Sequence, residues 1–334
     1  MKTENHRKIW ILAEQNEGKI CDISYELLFR ACELSQNHKA EISALILCDK
    51  VEDDELKQLI SRGADKVICV QAPELGTFLP EPYAMCMRDV VERFAPDIIL
   101  AGATSVGRTL MPYIAAMIHT GLTADCTQLD IEQDTGNLLQ TRPAIGGNIM
   151  ATIKTPSHRP QMATIRPKST PQAKQMQGRA GTIIRISPKQ ELLSSRIVRI
   201  GFEKNEEELS LSDAEKVVVV GRGIKKAENI AIVREFAEMI GAALGATRDV
   251  VDRGWLSYPH QIGLSGKTIT PKLYIGLGVS GAIQHLAGMQ TSETIIAVNK
   301  DADAQIFKVA DFGIVGDIFE VLPTLLEQLR QKGF

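Results

Sequence analysis

The segment KLYIGLGVSGAIQHLAGM, residues 272–289, joins an apolar, β-type run to a helical pattern through Gly276, Gly278 and Gly281, spaced G-x-G-x-x-G. A strand that turns through glycines into a helix is the building unit of parallel sheets covered by helices. The spacing also matches a dinucleotide-binding turn, where small residues let the backbone approach a diphosphate at a helix N-terminus. The match is short, and a chain with 26 glycines can produce it as a structural turn. Ser280 is expected to cap the following helix, leaving the amides of Gly281, Ala282 and Ile283 facing outward.

The same rhythm extends in both directions. KVVVVGRG from Lys216, a helix over Lys226–Ile240, TIIAVN from Thr294 and a helix over Ile318–Arg330 surround the segment. Upstream, KIWILAE from Lys8, EISALILC from Glu41, DKVICV from Asp65 and DIILAG from Asp97 alternate with amphipathic stretches. Ser24–Leu34 is one of these, with Leu27, Leu28, Ala31 and Leu34 on a single stripe; Glu81–Phe94, carrying Met85, Val90 and Val91, is another. The fold class is therefore α/β, with two domains built on parallel sheets. After Asp125 the strand-like stretches are broken by Gly and Pro, which places more sheet at the edge of the first domain. From Lys168 to Glu215 the chain turns polar and irregular, and EKNEEELSLSDAE reads as a linker or solvated face. The expected division is 1–205, with a linker over about 168–215, followed by 206–334.

At 334 residues, 44% hydrophobic and 24% charged, the composition is that of a folded protein, and the net charge of −3 gives no basic excess to attract nucleic acid. No apolar run approaches the roughly 18 residues of a membrane span, so a cytoplasmic location is expected. The six cysteines show no C-x-x-C pair or His-Cys ligand spacing, so no metal is expected; Cys126 reads as packing, not as a nucleophile.

Chemistry concentrates at the strand ends of the second half. VVVVGRG presents Arg222 between glycines, GATRDVVDRGW presents Thr247 and Arg248, HQIGLSGKT presents Ser265, and TIIAVNKD ends in Asn299, Lys300 and Asp301. Asp301 suits the ribose-binding acid of an NAD-dependent dehydrogenase that uses the Gly276–Gly281 motif, and this alternative stays open. Two arginines, expected to be buried, and a histidine at a helix start exceed what one nicotinamide dinucleotide needs. A flavin uses such groups, because its ring gains negative charge on reduction.

GLTADCTQLDI, QTRPAIGGNIMATI and RPQMATIRP in the first half, with GATRDVVDRGW, QIGLSGKTITPKLYIGLGVSGAIQHLAGM and AVNKDADAQIFKVADFGIVGD in the second, resemble the electron transfer flavoprotein α-subunit family over nearly the entire chain. The resemblance implies an adenine-nucleotide-hydrolase-like first domain that packs with a β subunit, then a doubly wound second domain that holds FAD. GATSVGRT (Gly102–Thr109) reads as structural. The implied protein is a redox carrier, not a substrate-transforming enzyme: as a heterodimer it takes electrons from flavin dehydrogenases, such as acyl-CoA dehydrogenases, to an acceptor. Electron bifurcation, and a second FAD or AMP in the β subunit, stay open.

Motif by motif, the resemblance places Arg222 by the diphosphate or ring edge, and Thr247 and Arg248 by the isoalloxazine. Gln261, Ile262, Gly263 and Leu264 line the cofactor, with the Ser265 hydroxyl near N5. Ser280, Gly281, Ala282, Ile283 and Gln284 cradle the phosphate and ribityl groups, His285 faces O2, Asn299 binds the adenosine side, and Asp317 and Ile318 close the pocket. Arg248 and His285 would stabilise charge on the reduced ring. Thr247, Leu264 and Ser265 depart from residues common in the family, but Thr247 and Ser265 keep a hydroxyl in place. The ferredoxin-like extension of some members is not seen, so no iron–sulfur cluster is expected.

Overall fold

The computed structural model describes residues 7–36, 39–144, 149–201, 211 and 214–332. The chain divides into two compact units, Met1–Gly201 and Phe202–Phe334. The expected boundary at 205/206 and most of EKNEEELSLSDAE lie outside the described residues.

The first unit opens with β1 (Lys8–Ala13), a short hairpin of β2 (Gln15–Asn16) and β3 (Lys19–Ile20), and α1 (Asp22–Gln36). It continues through β4 (Glu41–Cys48), α2 (Asp53–Ser61), β5 (Lys66–Gln71), α3 (Pro80–Phe94), β6 (Ile98–Gly102) and α4 (Ser105–Met117). Then follow β7 (Leu122–Cys126), β8 (Gln128–Ile131), β9 (Leu138–Pro143), β10 (Met150–Ile153), β11 (Gln161–Ile165) and β12 (Thr182–Ile186). Seven strands form one parallel sheet in the order β12-β5-β4-β1-β6-β11-β7, and β10-β9-β8 form a separate antiparallel sheet. Strands such as β1 and β4 are buried on both faces, which is why they read as continuous apolar runs instead of alternating ones. The α1 stripe of Leu27, Leu28, Ala31 and Leu34 is buried against this sheet.

The second unit contains β13 (Lys216–Val220), α5 (Ile230–Met239), β14 (Ala243–Ala246), α6 (Arg248–Asp252), β15 (Leu273–Leu277), α7 (Ile283–Leu286), β16 (Thr294–Asn299), β17 (Phe312–Val315) and α8 (Ile318–Gln331). Its sheet is parallel throughout, in the order β14-β13-β15-β16-β17. The helix expected from Lys226 starts later, at Ile230. Lys225 has a φ of 70°, and Asn229 Nδ2 donates to the Ile224 carbonyl, so the preceding residues fold as a turn and one 3-10 segment. Among the described residues no helix is long and apolar enough to cross a membrane, and no group of three or more His, Cys, Asp or Glu is placed to hold a metal ion.

Candidate functional site

In the second unit the chain leaves β13 for β14 on one side and later returns to β15 on the other, so the C-terminal ends of β13 and β15 form a switch point. Helical connections diverge there and leave a crevice, the usual ligand position in an open parallel sheet. Two glycine turns meet across it. The Gly221 amide donates to the Leu277 carbonyl at 2.9 Å, and the Gly223 amide to the Gly278 carbonyl at 3.1 Å. A Cβ on Gly221 would stand 2.2 Å from the Gly278 oxygen, so a side chain cannot fit there.

The crevice opens into a cavity of about 850 Å³, within the range of small-molecule and cofactor sites. Of the residues expected to bind a cofactor, all but Gln261 and Ile283 line it. Ile283 is exposed outside the lining, and Gln261 is buried beneath it. The Gln261 amide donates to Ser265 Oγ at 3.0 Å, and the Tyr258 hydroxyl donates to the Ser265 carbonyl at 2.7 Å. The Ser265 hydroxyl proton therefore remains available to the cavity, and Gln261 acts by holding its oxygen.

Thr247, at the N-cap of α6, lines the cavity with a buried Oγ1 that has no hydrogen-bond partner within the described protein. Burying a hydroxyl in this way is costly unless something meets it. The two arginines are not buried: the Arg222 and Arg248 side chains are 72% and 71% exposed. Both stand at the cavity mouth, where a guanidinium keeps its hydration. Arg222 lies 3.5 Å from Asp249 and Arg248 lies 3.2 Å from Asp252, exposed pairs that exchange readily with another anion. Asp249, Asp252 and Lys225 also line the cavity; the sequence offers the first two, which follow Arg248 within RDVVD, as its ion-pair partners, whereas Lys225 escaped notice.

The helix expected to start behind Ser280 begins later, and its N-cap residue is Ala282. Gly281 has a φ of 80°, and the Ile306 amide donates to the Ser280 carbonyl at 3.2 Å, so this stretch turns before it coils. The resulting α7 has four residues, which leaves the G-x-G-x-x-G pattern without the long helix that a dinucleotide fingerprint requires. Gly276, its first glycine, is buried within β15 and lies outside the cavity lining.

His285 lines the cavity with its ring almost wholly buried. The Tyr274 hydroxyl lies 2.8 Å from Nε2, and Nδ1 lies 3.0 Å from the Ile262 carbonyl. Burial pulls the imidazole down to about 4, opposed by the Ile262 carbonyl. The resemblance gave His285 the task of stabilising negative charge on the reduced ring; both of its ring nitrogens meet protein groups, and burial favours the neutral imidazole. At the other end of the cavity, the Asn299 amide donates to the Val279 carbonyl at 2.8 Å, and its oxygen accepts from the Asp301 amide. Asp317 caps α8 through the Phe319 amide and pairs with Lys225 at 3.2 Å; the cap holds its carboxyl below the usual range, with Lys225 assisting. His260 is buried beside Ser257, outside the cavity lining, and has a packing role.

In the first unit, Cys126 is buried and its thiol is pushed up to about 12 by burial, which suits packing and not nucleophilic attack. The Gly102–Thr109 loop caps α4: Thr104 Oγ1 accepts from the Gly107 amide at 3.1 Å and donates to Glu14 Oε1 at 2.7 Å.

The sequence profile of the electron transfer flavoprotein domain matches residues 9–191, and that of the electron transfer flavoprotein FAD-binding domain matches residues 210–290. The chain is 44% identical to an electron transfer flavoprotein subunit alpha of Thermoanaerobacterium thermosaccharolyticum, over 98% of this chain and 99% of that one. It is 41% identical to the corresponding subunit of Megasphaera elsdenii, covering 100% and 99% of the two chains. It is 42% identical to a lactate dehydrogenase (NAD(+),ferredoxin) subunit LctC of Acetobacterium woodii, over 97% of this chain and 77% of that one.

Proposed function

The chain belongs to the electron transfer flavoprotein α-subunit family, and from that premise we propose that its second unit holds one FAD in the switch-point cavity and works, paired with a β subunit, as an electron carrier between flavin dehydrogenases and an acceptor. The observation that supports this reading is the convergence of five strand ends on one cavity, with glycines where the backbone must be approached closely and cations at the mouth.

The residues fit the cofactor. The unpartnered Thr247 hydroxyl and the available Ser265 hydroxyl are features that a bound polar group would satisfy. Bound FAD supplies reversible storage of electrons. The protein's part is to bind and tune. Arg222 and Lys225 would face the diphosphate, releasing Asp249 and Asp317 to solvent. Arg248 would stand by the ring and favour its electron-rich form, and Ser265, steadied by Gln261, would donate a hydrogen bond to it. The Asn299 loop and the α8 N-terminus with Asp317 and Ile318 would enclose the adenosine end. A carrier of this kind makes and breaks no substrate bond, so the site needs no general acid or base.

Counting flavins in the purified heterodimer tests the proposal. One FAD per complex is expected for a simple carrier and two for a carrier that splits electron pairs; a colourless complex that binds NAD instead would overturn the reading. Arg248→Ala should retain FAD and lower its midpoint potential, measured by anaerobic titration. An unchanged potential would remove Arg248 from this role.

A further inference from the structure

His285 reaches the cavity in a form decided by a residue behind it. Tyr274, on β15, is fully buried, and its hydroxyl meets Nε2 at 2.8 Å. Its ring lies across Gly276: a Cβ there would stand 3.0 Å from Tyr274 Cε1 and 3.2 Å from its hydroxyl oxygen. The first glycine of the motif thus leaves room for a phenol lying along the strand, an explanation that needs no ligand contact. On the other side of the imidazole, Nδ1 faces the Ile262 carbonyl at 3.0 Å.

A carbonyl oxygen can only accept, so Nδ1 carries the proton. Nε2 is then a bare lone pair, and the phenol, whose ionisation burial raises far above its ordinary range, is the donor. We propose that Tyr274 is a positioning residue that locks His285 as the neutral Nδ1–H tautomer, so that the cavity wall at His285 carries no charge and the site's positive charge comes from its arginines and lysines. The proposal deepens the FAD reading and rests on it for its consequence at the cofactor, while the tautomer itself is a property of the protein.

The neutral form persists because the ring is buried, which holds it near 4, well below the ordinary 6.5. The charged side chains that share the cavity are Arg222, Lys225, Arg248, Asp249, Asp252, Lys300, Asp301 and Asp317, and none of them hydrogen-bonds to the imidazole; the groups that act on it are its buried surroundings and Ile262. Replacing the phenol by phenyl strands Nε2 without a donor, and the hydrogen bond lost is one that favours the neutral ring.

The test is ¹⁵N NMR of histidine-labelled α/β complex, with the His285 signals assigned by their loss in His285→Asn. In the unsubstituted protein a single neutral Nδ1–H tautomer is expected from about pH 8 to about pH 5. A ring protonated near pH 6.5, or a mixture of tautomers, would overturn the proposal without recourse to any variant. In Tyr274→Phe the protonation midpoint should rise by about one pH unit, tenfold in the acid constant. The flavin potential of that variant should climb more steeply on acidification than the parent's, because a cation then stands beside the electron-rich ring. A Tyr274→Phe ring that titrates like the parent's would also overturn it. Flavin content, counted on the same samples, reports on the FAD reading separately, and the tautomer can be read whether or not flavin is present.

Discussion

Both units contain a parallel sheet with a switch point, but different groups stand at the two. In the first unit the switch point lies between β1 and β6, and there the Glu14 carboxyl accepts from the Thr104 hydroxyl at 2.7 Å, while a Cβ on Gly102 would come within 3.2 Å of the same carboxylate oxygen. One of the unit's own side chains thus stands at that switch point, hydrogen-bonded across it. In the second unit the corresponding place holds Gly221 and Gly278 back to back, beneath a cavity of about 850 Å³. One architecture therefore carries a hydrogen-bonded carboxyl at one switch point and a cavity at the other, and a few residues at the strand ends make the difference.

The strongest way to break the contrast is to force apart the two glycine turns beneath the open crevice. Gly221→Val places side-chain atoms against the Gly278 backbone, 2.2 Å from a carbonyl oxygen even at Cβ. A destabilisation of about 3 kcal/mol is expected in denaturant unfolding, together with loss of flavin from the purified complex. A variant that keeps both would show that the glycine contact is dispensable.

A smaller effect comes from the first unit's switch point. Burial raises the Glu14 carboxyl to about 7, opposed by the Thr104 hydrogen bond. The unfolded chain ionises it near the ordinary 4.5, so between these values the folded state holds the extra proton. Its stabilisation is complete below about pH 4.5 and is lost as pH rises through about 7. Glu14→Gln keeps the acceptor and removes the charge. It should match the parent near pH 4 and be more stable by about 2 kcal/mol at pH 8 in urea melts, since that burial is incomplete. Equal stability at both pH values would show that the carboxylate is solvated in place.

Thr247→Val removes the unpartnered hydroxyl while keeping its shape. The protein should be as stable as the parent or slightly more so, and FAD should bind about fivefold more weakly by equilibrium dialysis. Unaltered affinity would mean that the hydroxyl meets no part of the cofactor. Least of all, Asp252→Asn loosens an exposed pair with Arg248 and should change stability by less than about 0.5 kcal/mol in thermal unfolding. A larger loss would show that the pair holds α6 in position.

Much of this was legible in the sequence, for identifiable reasons. Apolar runs such as VVVV and ALILC, short and rich in β-branched or aliphatic residues, read as buried strands, and the stripe of α1 as the face that covers them. Arg222, Thr247, Arg248 and Asn299 stand at strand ends, and ends of parallel strands converge; that is why residues scattered along the second half line one cavity. The errors share a cause as well. Ser280 looked like a helix cap because its neighbours have helical periodicity, but its carbonyl is held by the Ile306 amide. The arginines were expected to be buried, whereas the apolar strands β13 and β14 end just before them and leave them exposed. Tyr274 passed unnoticed among apolar neighbours, since no local pattern announces where a hydroxyl will point.

By itself, then, the sequence determined two α/β units, the strands β1, β4, β5, β6, β13, β15 and β16 but not the edge strands β14 and β17, and the glycines that allow close backbone approach, because these depend on periodicity and on backbone sterics within a few residues. The tertiary structure alone decided which groups stand at each switch point, where α7 starts and what charge His285 carries. Those depend on partners brought together from afar: Thr104 to Glu14 across 90 residues, Ile262 to His285 across 23. Removal from water and the hydrogen-bond partner of each nitrogen set the protonation of a buried ring, and both are products of the fold.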